Sequence, residues 1–380
     1  GMKVLKVSEL KAGDRFSKPV YIDQENILVP PHVPLKQKEI DRLIRWGIEQ
    51  VTTEGERISE GSTQGKPGAT LNMANLLQSP LYQEFSKTCT TLTGNIEKVQ
   101  SAIKDHLPVD TTLIDKTVDS LIRVLKEYRG EFIQYLFFEN PEESTFAQNS
   151  IHCAVLSTLI GMQLGILQHK LFPLTTGALL HDVGMLRIPE SIVEKRGKLE
   201  SREAQTMKVH PIYSYTIIRK EMNYSDEVAL IALQHHERWD GQGYPKGLSG
   251  KQIHINARIV SVADAYEAMI SKRPYRNSMI GYHAMKSLLS DNGRRFDPDI
   301  LKVFIQSMGI YPLGSIVLLS DSSIGSVIDT NAESPLRPKV KILVDKNGIP
   351  VEGNKGETVD LETEKKIFIV KAVDPKTLQG

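Results

Sequence analysis

The sequence predicts a mainly α-helical protein with a small α/β module at one end and a small β-rich subdomain at the other. Three observations lead to this fold class. Apolar residues recur three and four positions apart through much of residues 81–310, which is the spacing of one face of a helix. Short β-rich runs alternate with turn residues in 4–52 and again after Ser315. The length of 380 residues, at about 150 residues per domain, fits two or three folding units.

Residues 1–53 are predicted to form the α/β module. Turn residues such as Gly13-Asp14 separate its β-rich runs, and Gly47 ends its helical stretch. The predicted strands are 4–7, 20–22 and 27–29, and the predicted helix is 38–46. Residues 54–72 are rich in Gly, Ser, Thr, Glu and Pro, and we interpret them as a linker.

Residues 73–130 are predicted to form a helical hairpin, with helices at 81–104 and 111–128. Each helix carries an apolar seam at spacings of three and four residues. The seams consist of Phe85, Cys89, Leu92, Ile96, Val99 and Ile103, and of Ile114, Val118, Leu121 and Leu125. The two helices either pack on each other within the chain or form a homodimer through the same seams. Fewer than three heptads favour internal packing, because so short a repeat makes a weak independent coiled coil.

Residues 131–311 are predicted to be helical, and they contain nearly all of the chemically distinctive residues. Residues 312–380 are predicted to be a β-rich subdomain, because β-like runs are divided there by turns such as Asp345-Lys346-Asn347-Gly348. Its predicted strands are 315–319, 324–328, 340–344 and 367–370.

Charge and cysteine content exclude several classes of protein. Lys and Arg number 47 and Asp and Glu 46, so the net charge of +1 argues against a broad basic surface for polymeric nucleic acid. The two cysteines are too few for a disulfide framework, which indicates a reducing, cytoplasmic setting. The most apolar long window, 151–172, contains His152, Gln163 and Lys170, and these polar residues argue against a membrane span.

A set of histidines and aspartates predicts a metal centre. His181-Asp182 follows the apolar run Ala178-Leu179-Leu180 and precedes Gly184, so an imidazole and a carboxylate meet where a helix ends. Similar segments carry His152, His210, His235, His236 and Asp264. Burying a carboxylate such as Asp264 is costly unless a cation or hydrogen-bond donors compensate its charge. Five histidines and two aspartates on core-facing segments therefore fit two adjacent divalent ions.

These residues carry a family resemblance. The string His-His-Glu-Arg-Trp-Asp-Gly-Gln-Gly-Tyr-Pro at 235–245 follows His181-Asp182 and precedes Asp264. In this order the blocks closely resemble the HD-GYP family of bacterial cyclic di-GMP phosphodiesterases, and the resemblance covers about 149–311. It includes Lys-Val-His-Pro at 208–211 and Arg-Pro-Tyr-Arg at 273–276. The resemblance implies a helical-bundle catalytic domain.

The resemblance also implies site roles. It assigns the metal ligands as His152, His181, Asp182, His210, His235, His236 and Asp264, with Asp182 bridging two divalent ions such as Fe or Mn. A hydroxide held between the ions would attack phosphorus and convert cyclic di-GMP to pGpG and then GMP. Arg273 and Arg276 would bind the phosphates, and Tyr244, beside Gly243, would donate a hydrogen bond to them. Glu237, Trp239 and Asp240 are interpreted as residues that shape the loop.

Two positions depart from the family pattern. The family motif His-Asp-x-Gly-Lys has Met185 at its fifth position here. If the usual lysine acts in proton transfer, its loss would cost about 10²–10⁴-fold in rate. Arg187 is the candidate substitute beside the catalytic pair His181-Asp182. Gln148 stands where some members have a glutamate ligand for a third metal, and because an amide is a weak ligand, two ions are favoured.

Three functions fit these residues. The first is a cyclic di-GMP phosphodiesterase with reduced activity. The second is a cyclic di-GMP sensor, in which Met185 reflects weakened catalysis. The third is an HD-type hydrolase of another nucleotide. The complete Gly-Tyr-Pro loop and both arginines favour the first two over the third, and Met185 is the main argument for the sensor.

Overall fold

The computed structural model describes residues 1–23, 27–29, 33–58, 80–138, 144–271, 278–352 and 355–373. Helices dominate these residues, and two small regions of sheet flank them, so the predicted mainly α fold class is confirmed. No helix among the described residues is long and apolar enough to cross a bilayer.

The N-terminal sheet is antiparallel. Its strands β1, β3, β4 and β5 lie in the order β1-β5-β3-β4, and β2 pairs with β6 beside them. The bounds are β1 Lys3–Lys6, β2 Arg15–Phe16, β3 Val20–Tyr21, β4 Ile27–Val29, β5 Gln50–Thr53 and β6 Arg57–Ile58, with helix α1 at Gln37–Arg45. Leu43 and Val51 are fully buried in the small core between helix and sheet. Strand β6 lies within the predicted linker, whose residues from 59 onward lie outside the described part.

The hairpin consists of α2 (Pro80–Lys104) and α3 (Thr111–Phe138). Helix α3 continues ten residues beyond the predicted end at 128, with a non-helical backbone at Tyr128 (φ −132°, ψ 42°). The apolar seams of both helices are buried, and they share one core with the helices that follow. The seam that the sequence offered for dimerisation is therefore used within the chain.

Nine further helices have described bounds. They are α4 Phe146–Gln163, α5 Gln168–Leu180, α6 Glu190–Val193, α7 Ser201–Met207, α8 His210–Thr216, α9 Asp226–Gln234, α10 Ile255–Ser271, α11 Ser278–Ser290 and α12 Pro298–Met308. Helix α4 is apolar on almost all sides and is buried from Ser150 to Gly161, because its neighbours enclose it. A 3₁₀ segment, Val183–Arg187, follows α5, and a π-helical turn, Ile217–Glu221, follows α8.

The C-terminal sheet has five antiparallel strands in the order β10-β9-β8-β7-β11. The bounds are β7 Ile316–Leu319, β8 Ile324–Asp329, β9 Lys339–Val344, β10 Thr358–Asp360 and β11 Ile369–Ala372. The first three match the predicted strands within one residue at either end, and β10 was not predicted. Val317, Val340 and Leu361 are fully buried in its core.

Candidate metal centre

Three histidines are fixed at the ends of helices by the same kind of bond. In each, ring Nδ1 lies within hydrogen-bonding distance of the carbonyl oxygen three residues earlier. The pairs are His181 with Ala178 (2.5 Å), His210 with Met207 (2.7 Å) and His235 with Ala232 (2.6 Å). Because a carbonyl oxygen only accepts, each Nδ1 must carry the proton and donate it. This bond to a backbone carbonyl fixes the ring and leaves Nε2 as the atom that faces the site.

Asp182, His210, His235 and His236 form the first group, with one ligand atom of each within 4.8 Å of the others. The Asp182 Oδ1 atom lies 3.3 Å from His210 Nε2 and 3.2 Å from His235 Nε2. All three atoms are buried, and none has a hydrogen-bond partner. Since their lone pairs face one another at these distances, they repel unless a positive charge lies among them. The first group therefore fits a divalent cation.

Cys153, His181 and Asp264 form the second group. His181 Nε2 lies 3.1 Å from Asp264 Oδ1 and 3.3 Å from Asp182 Oδ2. Asp182 thus turns one carboxylate oxygen to each group, which is the geometry of a carboxylate that bridges two ions. The rings of His181 and His235 lie 4.9 Å apart between centroids, so the two groups adjoin.

The charges of the two groups are strongly coupled. Burial alone would raise the pKa of Asp182, but the charge of His181 holds it well below its ordinary value. Burial alone would lower the pKa of His181, but the negative charge of Asp182 outweighs it and raises that pKa well above the ordinary value. His236 differs, because burial and then His235 lower its pKa to about 2. Without a cation, the carboxylates therefore favour the protonated form of His181, whereas burial favours the neutral form of His236.

Metal affinity is expected to rise with pH. A cation needs a neutral imidazole, so it must displace the proton that the raised pKa of His181 retains, and acid strengthens that competition. Calorimetric titration of chelator-treated protein with Mn²⁺ between about pH 6 and 8, in two buffers of different ionisation enthalpy, should show release of about one proton. His254→Gln, outside both groups, should follow the wild-type profile. An affinity independent of pH would contradict the expectation.

His152 belongs to neither group, although the sequence placed it among the ligands. It is buried on α4, and its Nδ1 lies 3.7 Å from the Glu267 Oε1 atom. The adjacent Cys153 joins the second group instead, and burial raises the pKa of its thiol. The sequence analysis missed Cys153 and Glu267. Glu267 lies one turn after Asp264 on an apolar helix, and this position was the sequence signal that it is buried near the centre.

A loop at 237–248 covers one side of the first group. The buried Glu237 carboxylate accepts the backbone N–H groups of Lys246 (2.6 Å) and Leu248 (2.9 Å), which fits the predicted loop-shaping role. A Cβ on Gly243 would lie 2.4 Å from the His236 carbonyl oxygen, so only glycine fits there. The Tyr244 ring stacks on the His236 ring, with centroids 4.9 Å apart and planes 13° apart. The loop therefore positions Tyr244 directly beside a predicted ligand.

Arg187, the predicted substitute for the lysine that Met185 replaces, directs its guanidinium to other segments of the chain. Its guanidinium donates to the Ile103 carbonyl oxygen (3.1 and 3.2 Å) and to the Glu221 carboxylate (3.0 and 3.3 Å). These bonds connect the hairpin to the π-helical turn, and they engage the guanidinium of Arg187 with protein groups. The other cationic candidates, Arg273 and Arg276, lie outside the described residues.

Gln148 takes part in a helix cap. Its side-chain oxygen accepts the Thr145 N–H (2.8 Å), and the Thr145 hydroxyl accepts the Gln148 N–H (3.3 Å). This reciprocal capping box at the start of α4 gives the Gln148 side chain a structural role that requires no third metal.

Comparison with known proteins identifies the helical region. Residues 135–300 match the family model described as HD domain, and residues 316–380 match the model described as KOW domain associated with HD domain. The structure of Bd1817, an HDG"Y"P protein from Bdellovibrio bacteriovorus, aligns with a TM-score of 0.50 at 18% identity. The alignment covers 80% of this chain and 98% of Bd1817, and it concerns the fold. The fold and the paired His/Asp groups thus define an HD-type phosphohydrolase domain.

The chain is also similar to two curated proteins. It is 28% identical over 338 residues to the cyclic di-GMP phosphodiesterase PdeB of Borreliella burgdorferi, covering 89% of this chain and 87% of PdeB. It is 42% identical over 217 residues to the cyclic di-GMP phosphodiesterase response regulator RpfG of Xanthomonas campestris, covering 57% of this chain and 56% of RpfG. The chain thus spans about half the length of RpfG. Residues 135–300 thus form an HD domain, and the protein is an enzyme of the HD phosphohydrolase class.

Proposed function

We propose that the protein is a phosphodiesterase that uses two divalent cations to hydrolyse cyclic di-GMP to pGpG and then to GMP. The observation that carries the proposal is Asp182, which turns one oxygen to each of two adjoining groups of ligand atoms. The names of PdeB and RpfG support the substrate.

The ligand atoms would divide between the two cations. His210, His235 and His236 would hold one ion, His181 and Asp264 would hold the other, and Asp182 would bridge them; His152 remains a proposed ligand from the resemblance. When bound, the ions would activate water and neutralise charge that develops on the phosphate. The backbone carbonyls that accept from Nδ1 would keep each imidazole aligned through the reaction.

The chain's own groups would position the dinucleotide. Burial, followed by the charges of Asp182 and Asp264, raises the pKa of Tyr244 to about 12, so its phenol stays protonated and can donate to a phosphate oxygen. We retain Arg273 and Arg276 as phosphate-binding residues on the strength of the resemblance. As water adds to phosphorus, the P–O3′ bond breaks and leaves the new phosphate on the 5′ side of pGpG.

Hydrolysis is expected when the anaerobically purified full chain, loaded with Fe²⁺ or Mn²⁺ and counted for metal, is incubated with cyclic di-GMP. Chromatography with mass spectrometry should show pGpG first and GMP later. Removal of the metal by a chelator should abolish turnover, and reloading should restore it. Tight binding without product would support the sensor function that Met185 favours. Hydrolysis of another dinucleotide with none of cyclic di-GMP would refute the proposed substrate.

A further inference from the structure

Lys208 supplies a cation at the edge of the metal centre. It directly follows α7 and lies two residues before His210. Its Nζ atom lies 5.4 Å from the centroid of the Tyr244 ring, within the range of a cation–π contact. The same ring stacks on His236. The ammonium group and a predicted ligand therefore both contact the same aromatic ring.

Tyr244 also connects this cation with both carboxylates of the centre. The negative charges of Asp182 and Asp264 reach its phenol strongly enough to contribute to its raised pKa. Lys208 thus contacts the ring of the residue that would donate a hydrogen bond to a phosphate under the proposed function.

Apart from its contact with the Tyr244 ring, the ammonium group of Lys208 has no protein partner within the part of the chain that the structure describes. It is exposed and forms no ion pair or hydrogen bond there. Two other cations of this region are occupied, since Lys195 pairs with Glu203 and Arg187 with Glu221, whereas the charge of Arg295 also acts on the Tyr244 phenol. An ammonium group without a protein counter-charge remains available to an anionic ligand.

We infer that Lys208 binds a non-bridging oxygen of the scissile phosphodiester and provides the positive charge that Met185 does not. The inference rests on the proposed function. It requires only a phosphodiester at the paired groups, because the contact is with the phosphate and not with a base. Charge aimed at a developing phosphate dianion stabilises the transition state more than the bound substrate, so the effect falls mainly on kcat.

Lys208→Met is expected to lower kcat by about 10²-fold, with Lys208→Arg retaining part of the rate. The matched control is Lys170→Met, which removes an exposed lysine of α5 and should leave the rate unchanged. Metal content should equal that of wild type in all three variants. Two substrates are compared, cyclic di-GMP and bis(p-nitrophenyl) phosphate, whose leaving group needs no proton. An equal loss on both supports charge stabilisation, whereas a loss on cyclic di-GMP alone overturns it in favour of proton donation.

A rescue experiment tests the relation to Met185. Met185→Lys introduced into Lys208→Met should recover most of the lost rate. No recovery would refute the inference that Lys208 supplies the positive charge that Met185 lacks. An unchanged rate in Lys208→Met would overturn the inference altogether, as would a loss that follows loss of metal.

If the proposed function is wrong, the experiment gives a different result. Wild-type protein would then leave cyclic di-GMP intact but hydrolyse the artificial diester, on which the Lys208 effect would persist. If neither diester reacts, the affinity of the metal-loaded protein for inorganic phosphate is the readout. Equal Kd values for wild type and Lys208→Met would then overturn the inference.

Discussion

Asp182→Asn is expected to abolish hydrolysis, with a loss of at least about 10³-fold, and to remove most of the bound metal. The amide keeps the shape of the carboxylate but not its charge. Only its oxygen can offer a lone pair to a cation, because the amide nitrogen is a hydrogen-bond donor. In the structure, both oxygens are used, one towards His210 and His235 and the other towards His181. The substitution therefore weakens both ion sites at once.

The measurement combines elemental analysis with turnover of cyclic di-GMP. Asp119→Asn is the matched control, since this exposed carboxylate of α3 pairs with Arg123 and has no part in the centre. It should retain full metal content and rate. Full turnover in Asp182→Asn would exclude the two-ion mechanism.

Gly184→Ala is expected to lower the Tm of the metal-free protein by roughly 6–12 °C, which corresponds to about 3 kcal/mol, and to impair metal binding. A Cβ at this position would lie 2.1 Å from the His210 carbonyl oxygen and 2.6 Å from the Ser214 nitrogen. Both are backbone atoms of α8, so they can recede only if the helix moves. The Gly184 N–H also donates to the Ser214 hydroxyl at 2.8 Å. The 3₁₀ segment and His210 would therefore be forced apart.

Thermal unfolding and metal stoichiometry measure the two effects separately. Gly94→Ala is the control, because nothing lies within 4 Å of its added Cβ in the interior of α2. Alanine there should stabilise the protein by about 0.5–1 kcal/mol. If Gly184→Ala and Gly94→Ala gave the same Tm, the close approach at Gly184 would not be a constraint.

The sequence identified most of the candidate centre because the relevant signals are local. Each of His181, His210 and His235 adjoins the end of a helix; apolar runs stop directly before His181 and His235, and His210 precedes a proline. Asp264 stood out for the opposite reason, as a carboxylate inside an apolar helix. Such features need no knowledge of tertiary structure.

The features that the sequence missed depend on contacts between distant segments. The direction of Arg187 is determined by Ile103 and Glu221, which are 84 and 34 residues away. Helical periodicity placed His152 on a core-facing helix, but it did not distinguish the direction of His152 from that of Cys153. Lys208 contacts the Tyr244 ring only in the folded chain, because Tyr244 belongs to the later 237–248 loop.

The fixed Nδ1 atoms have an electrostatic consequence for the order of binding. The carbonyls that hold them belong to the last turns of α5, α7 and α9, so the negative ends of three helix dipoles converge on one small volume that also contains two carboxylates. Such a volume attracts cations and repels phosphates. Under the proposed function, a dinucleotide with two negative phosphates would therefore bind after the cations, because the cations would first neutralise the negative charge of the site.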